Sequence, residues 1–113
     1  MTTKVKISFV LPESLQRDFK EQMIKEGYDL KGKSRWVGEA ITRLFQFDSF
    51  VDLVKLNDVM RGFEKLESVV IDRDLKKLLD NAVITIRQKY PMIDGVQSRI
   101  LRTAIVQRVL LQS

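Results

Sequence analysis

Laid over itself with a shift of 60 residues, the chain matches SFVLPESLQRDF (8–19) to SVVIDRDLKKLL (68–79). Ser8 meets Ser68, Leu15 meets Leu75, and Phe9, Val10, Leu11 and Phe19 meet Val69, Val70, Ile71 and Leu79. A shift of 64 lays SRWVGEAI (34–41) over SRILRTAI (98–105), where Ser, Arg, Ala and Ile coincide. The matches keep the same order, and the change of shift amounts to a short insertion in a loop, where insertions are tolerated. A repeat of this kind narrows the fold sharply. One unit of a single strand and two short helices buries too little core and leaves its strand unpaired. Two units answer both problems, because their strands pair as an antiparallel ribbon and their helices pack beneath it.

The elements of each unit follow from periodicity. In KVKISFVL (4–11) Lys4, Lys6 and Ser8 alternate with Val5, Ile7, Phe9 and Leu11, the period of a half-buried strand. Pro12 closes it and suits the start of a helix over 12–27, with Leu15, Phe19, Met23 and Ile24 as its apolar stripe. Gly27 takes the C-terminal capping place. Ser34 is expected to cap a second helix carrying Trp36, Val37, Ala40, Ile41, Leu44 and Phe45. In the connector, 47–65, Ser49 would cap a helix with Phe50, Leu53, Val54, Asn57 and Met60 on one side, ended by Gly62. Phe47, Phe50, Val51 and Val54 there serve either core burial or a contact between chains. The second unit repeats the order: SVVID, a helix with Leu75, Leu78, Leu79, Ala82, Val83 and Ile86 closed by Tyr90-Pro91, and a last helix capped by Ser98 with Ile100, Leu101, Ala104, Ile105 and Val109 inward. The predicted organisation is thus a first unit over 1–46, a connector over 47–65 and a second unit over 66–113, forming one compact domain.

Composition then removes whole classes of chemistry. The 113 residues include no cysteine and no histidine, so disulfides, thiolate metal sites, thiol nucleophiles and imidazole bases are all absent. We expect no enzyme and no cofactor. With 44% hydrophobic and 31% charged residues the balance is that of a globular chain. No apolar run approaches membrane-spanning length, and MTTKVKISFVLPES lacks the apolar centre of a signal peptide, so the expectation is a cytoplasmic protein without a membrane partner. The net charge of +5 makes a polyanion a natural partner.

With its alternating strand ending in proline, KISFVLPESL, and its loop-to-helix stretch, GKSRWVGEAI, the chain resembles the ribbon-helix-helix family of DNA-binding proteins over about 4–46 and 66–111. The resemblance implies an α+β, mostly helical fold, a tandem ribbon-helix-helix pseudo-dimer whose two-stranded antiparallel ribbon lies over four or five helices. Most members pair two identical chains; the fusion of two units is similar to that in some conjugative-transfer accessory proteins. It further implies sequence-specific binding of double-stranded DNA in a bacterial cytoplasm, as a transcriptional repressor or as an accessory at a plasmid or transfer origin. Further copies side by side on DNA, and relaxosome or partition proteins, would be additional partners.

In this family the ribbon enters the major groove, which admits two strands, and outward side chains read base edges. That assigns base reading to Lys4, Lys6, Ser8 and Val10, with Ser68 and Val70 on the second strand. Lys6 suits guanine O6 and N7, and Val10 suits a thymine methyl. The alternative is that Lys4 and Lys6 only solubilise an edge strand. Phosphate binding falls to Lys33, Ser34 and Arg35 at one helix N-terminus and to Ser98 and Arg99 at the other, where N–H groups and the helix dipole attract anions. The alternative there is a capping serine beside a solvated arginine. The second strand breaks the pattern: Glu64 and Leu66 stand where Lys4 and Lys6 do, and Glu67 stands at the inward place of Ile7. Either that strand starts near Ser68 or its phase slips, and the target should be asymmetric or a short direct element.

Two further readings compete. GYDLKGKS (27–34) fits the phosphate-loop pattern G-x-x-x-x-G-K-[ST], and VVID (69–72) resembles the strand whose Asp binds magnesium in nucleotide hydrolases. A phosphate loop follows a strand within a parallel sheet, however, whereas a helix is expected before Gly27. The other reading is a helical protein–protein interaction module whose basic charge is incidental.

Overall fold

The computed structural model describes residues 3–57 and 63–112. In chain order these form β1 (Lys4–Pro12), α1 (Glu13–Lys25), a single 3-10 turn (Leu30–Gly32), α2 (Lys33–Phe45), α3 (Phe50–Leu56), β2 (Glu64–Asp72), α4 (Arg73–Lys89) and α5 (Val96–Gln112). The architecture is α+β and mostly helical, with one two-stranded antiparallel sheet and five α-helices among the described residues. Met60 and Gly62, expected to continue and end the connector helix, lie outside the described residues. Within them that helix stops at Leu56.

The strands pair about a centre at Ser8 and Ser68, with Lys4 opposite Asp72 and Pro12 opposite Glu64. The backbone N–H of Glu13 donates to Phe63 O at 2.8 Å and that of Arg73 to Thr3 O at 2.9 Å, so donors and acceptors recur at the spacing of the sequence repeat. Pro12 and Asp72 both take φ −65° and ψ 148° ahead of their helices. The turn from strand to helix therefore sets this conformation, and proline merely fits it. The N–H and C=O of Val10 point away from β2, to Ser98 and Arg102. Pro12, two residues further along, faces the same way, so its missing N–H takes nothing from the ladder.

Ile7, Phe9, Leu11, Val69 and Ile71 point inward and are buried with Leu15, Phe19, Met23, Trp36, Ile41, Leu44, Leu79, Ile86, Ile100, Leu101 and Ile105. The rings of Phe19 and Trp36 stack at 5.6 Å. Each such side chain contributes about 1.5–3 kcal/mol of burial, more than the differences in helix propensity along these segments. α5 is the central element and packs on β1, α1, α2, α3 and α4. Gly27 (φ +88°) ends α1 and Gly95 (φ +58°) precedes α5, both in the left-handed region that glycine reaches without strain.

Two expectations about β2 need correction. It is neither short nor out of phase: all nine residues of Glu64–Asp72 pair, and Glu67 faces inward and is only 8% exposed. An acidic residue survives there because Lys33 Nζ and Lys20 Nζ approach its carboxylate at 3.3 and 3.5 Å. Without those cations a buried carboxylate would be strongly destabilising.

Candidate nucleic-acid interface

The exposed face of the ribbon is a row of four cross-strand pairs, Lys4–Asp72, Lys6–Val70, Ser8–Ser68 and Val10–Leu66; the next pair in register, Pro12–Glu64, has its proline buried. Val10 directs its backbone groups off the ribbon edge, as does Ser8, whose C=O accepts from Gln97 Nε2 at 3.0 Å. Val70 does likewise, its N–H going to Ser34 Oγ. The residues of this row are therefore the closely spaced pairs that exchange no ladder bonds, and their side chains stand nearest one another. Ser8 Oγ and Ser68 Oγ lie 3.0 Å apart. Lys4 Nζ is bound to Asp72 Oδ1 at 2.7 Å, so its charge is already partnered. Lys6 is exposed and makes no ion pair among the described residues, which leaves it the available cation of the face.

At the ribbon's two long edges stand the N-termini of α2 and α5. Neither Ser34 nor Ser98 is an N-cap, contrary to the sequence expectation: α2 starts at Lys33 and α5 at Val96, which puts both serines inside the first turn. Their hydroxyls instead accept from the ribbon, Ser34 Oγ from Val70 N–H at 2.9 Å and Ser98 Oγ from Val10 N–H at 3.1 Å. A hydroxyl that accepts keeps its own proton free to donate. Each helix N-terminus is thereby pinned to a strand edge, flanking the row of outward side chains.

The basic residues beside these serines have unlike surroundings. Lys33 is held by Glu67 beneath the ribbon. The side chain of Arg35 is 74% exposed, lies 4.7 Å over the Tyr28 ring and is 3.8 Å from Glu39. Arg99, its counterpart on α5, donates from Nε to Val54 O at 2.9 Å and from Nη2 to Lys55 O, capping the end of α3. An open groove of 780 Å³ runs from Lys4 and Asp72 past Ser34 and Arg35 to Arg43 and Leu78. Of the residues expected at phosphate, Arg35 thus stands in an open groove of mixed charge, where Lys31 and Arg43 also face Glu39, Asp72 and Asp74, and Arg99 is engaged in holding the connector.

The phosphate-loop string runs from the end of α1 into α2, so a helix and not a strand precedes it. Asp29 O and Oδ1 both accept the Gly32 N–H, at 2.9 and 3.1 Å, the donor that a cradled phosphate would require. VVID lies in the ribbon and its Asp72 pairs with Lys4. Among the described residues no group of three or more acidic side chains could hold a metal ion, and no helix is long and apolar enough to cross a membrane.

One polar cluster escaped the sequence reading. Arg108, 3% exposed on α5, donates to Trp36 O at 2.8 Å, to Glu26 Oε1 at 2.7 Å and to Tyr28 Oη at 3.3 Å, with its guanidinium 4.5 Å over the Trp36 ring. Trp36 Nε1–H donates to Glu26 Oε2 at 3.1 Å. Burial pushes the Glu26 carboxyl up, but hydrogen bonds from Arg108, Trp36 and Gln22 and the guanidinium charge outweigh it, leaving it below the usual carboxylate range. The signal was present: Arg108 falls four residues after Ala104 and seven after Leu101, on α5's buried face. Gln97, Arg102 and Leu66 were likewise missed as ribbon residues.

No protein family, curated protein or solved structure matches this chain.

Proposed function

We propose that this protein binds double-stranded DNA as a tandem ribbon-helix-helix pseudo-dimer, its ribbon in the major groove and the N-termini of α2 and α5 against the flanking backbones. The observation that carries this reading is the pinning of both helix N-termini to the ribbon edges, Ser34 to Val70 and Ser98 to Val10. It gives one surface with base-reaching side chains in the middle and anion-attracting helix ends on both sides. Lys6 reads guanine, Ser8 and Ser68 contact the bases at the centre, and Arg35 with the Ser34 and Ser98 hydroxyls holds phosphates. The role is non-enzymatic and cytoplasmic, as a repressor or as an accessory protein at a plasmid or transfer origin, with further copies able to bind alongside.

Fluorescence anisotropy of duplex DNA from the protein's own upstream region, titrated across salt beside a scrambled duplex, tests it. Specific binding with a steep salt dependence is expected, weakened about tenfold or more by Lys6→Ala. Failure to bind either duplex at low salt would refute the reading.

A further inference from the structure

The outward row of the ribbon changes chemistry along its length. On one side of Ser8–Ser68 stands Lys6 beside Val70; on the other stands Val10 beside Leu66. Leu66 is 68% exposed and Val70 42%, and Phe63, just before β2, is 80% exposed. Leu66 occupies the place in its unit that Lys6 holds in the first. A solvated edge has no use for a leucine there, and the core gains nothing from a side chain pointing away from it. The row that holds it is continuous with the polar residues proposed to read DNA. In the major groove the apolar feature of a base edge is the thymine 5-methyl group.

Resting on the DNA reading above, we propose that Val10 and Leu66 form an apolar pair that reads thymine methyl groups, so that the two half-sites differ in kind. One half-site presents guanine to Lys6, and the other presents thymine to Val10 and Leu66. Same-face residues of a strand are about 6.8 Å apart, close to two base steps of about 3.4 Å. Lys6 and Val10, on either side of Ser8, therefore address positions about four base steps apart. Leu66 becomes a specificity-determining residue, and the target is intrinsically directional: the chain binds it in one orientation only.

The test starts from duplexes selected by the intact chain from a random pool. Thymines of the selected site are then replaced one at a time by uracil, which deletes the 5-methyl group and leaves the pairing unchanged. Uracil on the side away from the guanine contact is expected to weaken binding about fourfold, the worth of one buried methyl group. Leu66→Ala should bind thymine and uracil sites alike. Leu66→Lys, at an exposed position that leaves the fold intact, should shift selection toward guanine in that half and make the sites more nearly palindromic. If no uracil replacement matters while Lys6→Ala still weakens binding, the methyl reading is overturned and the DNA reading stands. The exposed pair would then be a contact for another protein chain. If the intact chain selects no duplex at all, the DNA reading itself falls, and this inference with it.

Discussion

The two strand–helix–helix units share an order of elements but use their helix ends differently. At the N-terminus of α2, Arg35 projects into an open groove, and Gly38 on the next turn lines it without a side chain. At the N-terminus of α5, Arg99 is folded back onto the last carbonyls of α3, and Arg102, in the place of Gly38, donates to Val10 O at 2.9 Å. At the far end Leu44 of α2 answers to Arg108 of α5, one packed in the apolar core and the other holding Glu26 and Trp36. A repeated sequence thus reproduces the hydrogen bonds that define the ribbon and its pinned helices, while single positions divide two duties. At these matched positions the first unit leaves Arg35 exposed, and the second directs Arg99, Arg102 and Arg108 toward holding the molecule together.

Making the units alike should show which duty each residue serves. The largest effect is expected from Arg108→Leu, which gives α5 the residue of α2 but removes the one cation that pairs the largely buried Glu26 carboxylate. A loss of about 3–5 kcal/mol is expected in urea unfolding. Glu26→Ile with Arg108→Leu, copying Ile86 and Leu44, should return to within about 1–2 kcal/mol of the parent, since only the Trp36 indole N–H loses its partner. Acid should distinguish the same variants. A carboxyl held below its unfolded value stabilises the fold above the ordinary carboxylate range, and that contribution is lost as pH falls through the lowered folded value. The parent should show this acid loss and the double variant should lack it; an equal loss in both would place the sensitive carboxylate elsewhere.

Next in size is the contrast between the paired arginines. Arg99→Ala should cost about 1–3 kcal/mol of stability through the released α3 carbonyls, with the salt dependence of DNA binding unchanged. Arg35→Ala should leave stability within about 0.5 kcal/mol and reduce the slope of log K against log salt by about one. Results the other way round would exchange the assigned duties. The smallest effect expected is from Gly38→Ala. A Cβ there would meet Leu75 Cδ2 at 3.8 Å, an ordinary contact, so the gain in helix preference should raise stability by about 0.5–1 kcal/mol in thermal unfolding.

Much of this architecture was legible in the sequence because it depends on periodic burial. The alternation through KVKISFVL, the helical stripes apart from Ile24 and Leu78, which are exposed, and the order of elements need no knowledge of partners. What stayed hidden depends on distant chemistry. Ser34 and Ser98 look like helix caps, since only the paired strand edge reveals another acceptor role for them. Glu67 read as a flaw in β2 because its compensation comes from Lys20 and Lys33 on two other elements. Arg99 carries the same sequence context as Arg35, and only the path of the connector separates their fates.

The ribbon has a consequence for how the chain comes to be folded. Ser8 must find a partner 60 residues away, and Trp36 is buried against Arg108 of α5, an element that begins only at Val96. A nascent first unit emerging from the ribosome therefore has neither its strand partner nor its core filler, and at about 5–20 residues per second it waits several seconds for them. During that interval β1 offers an unpaired edge with apolar residues on one face, the kind of segment that associates with other chains. Translation that stalls between Gln46 and Gly95 should yield an aggregation-prone fragment, and completion of α5 should be the event after which the whole molecule folds in one step.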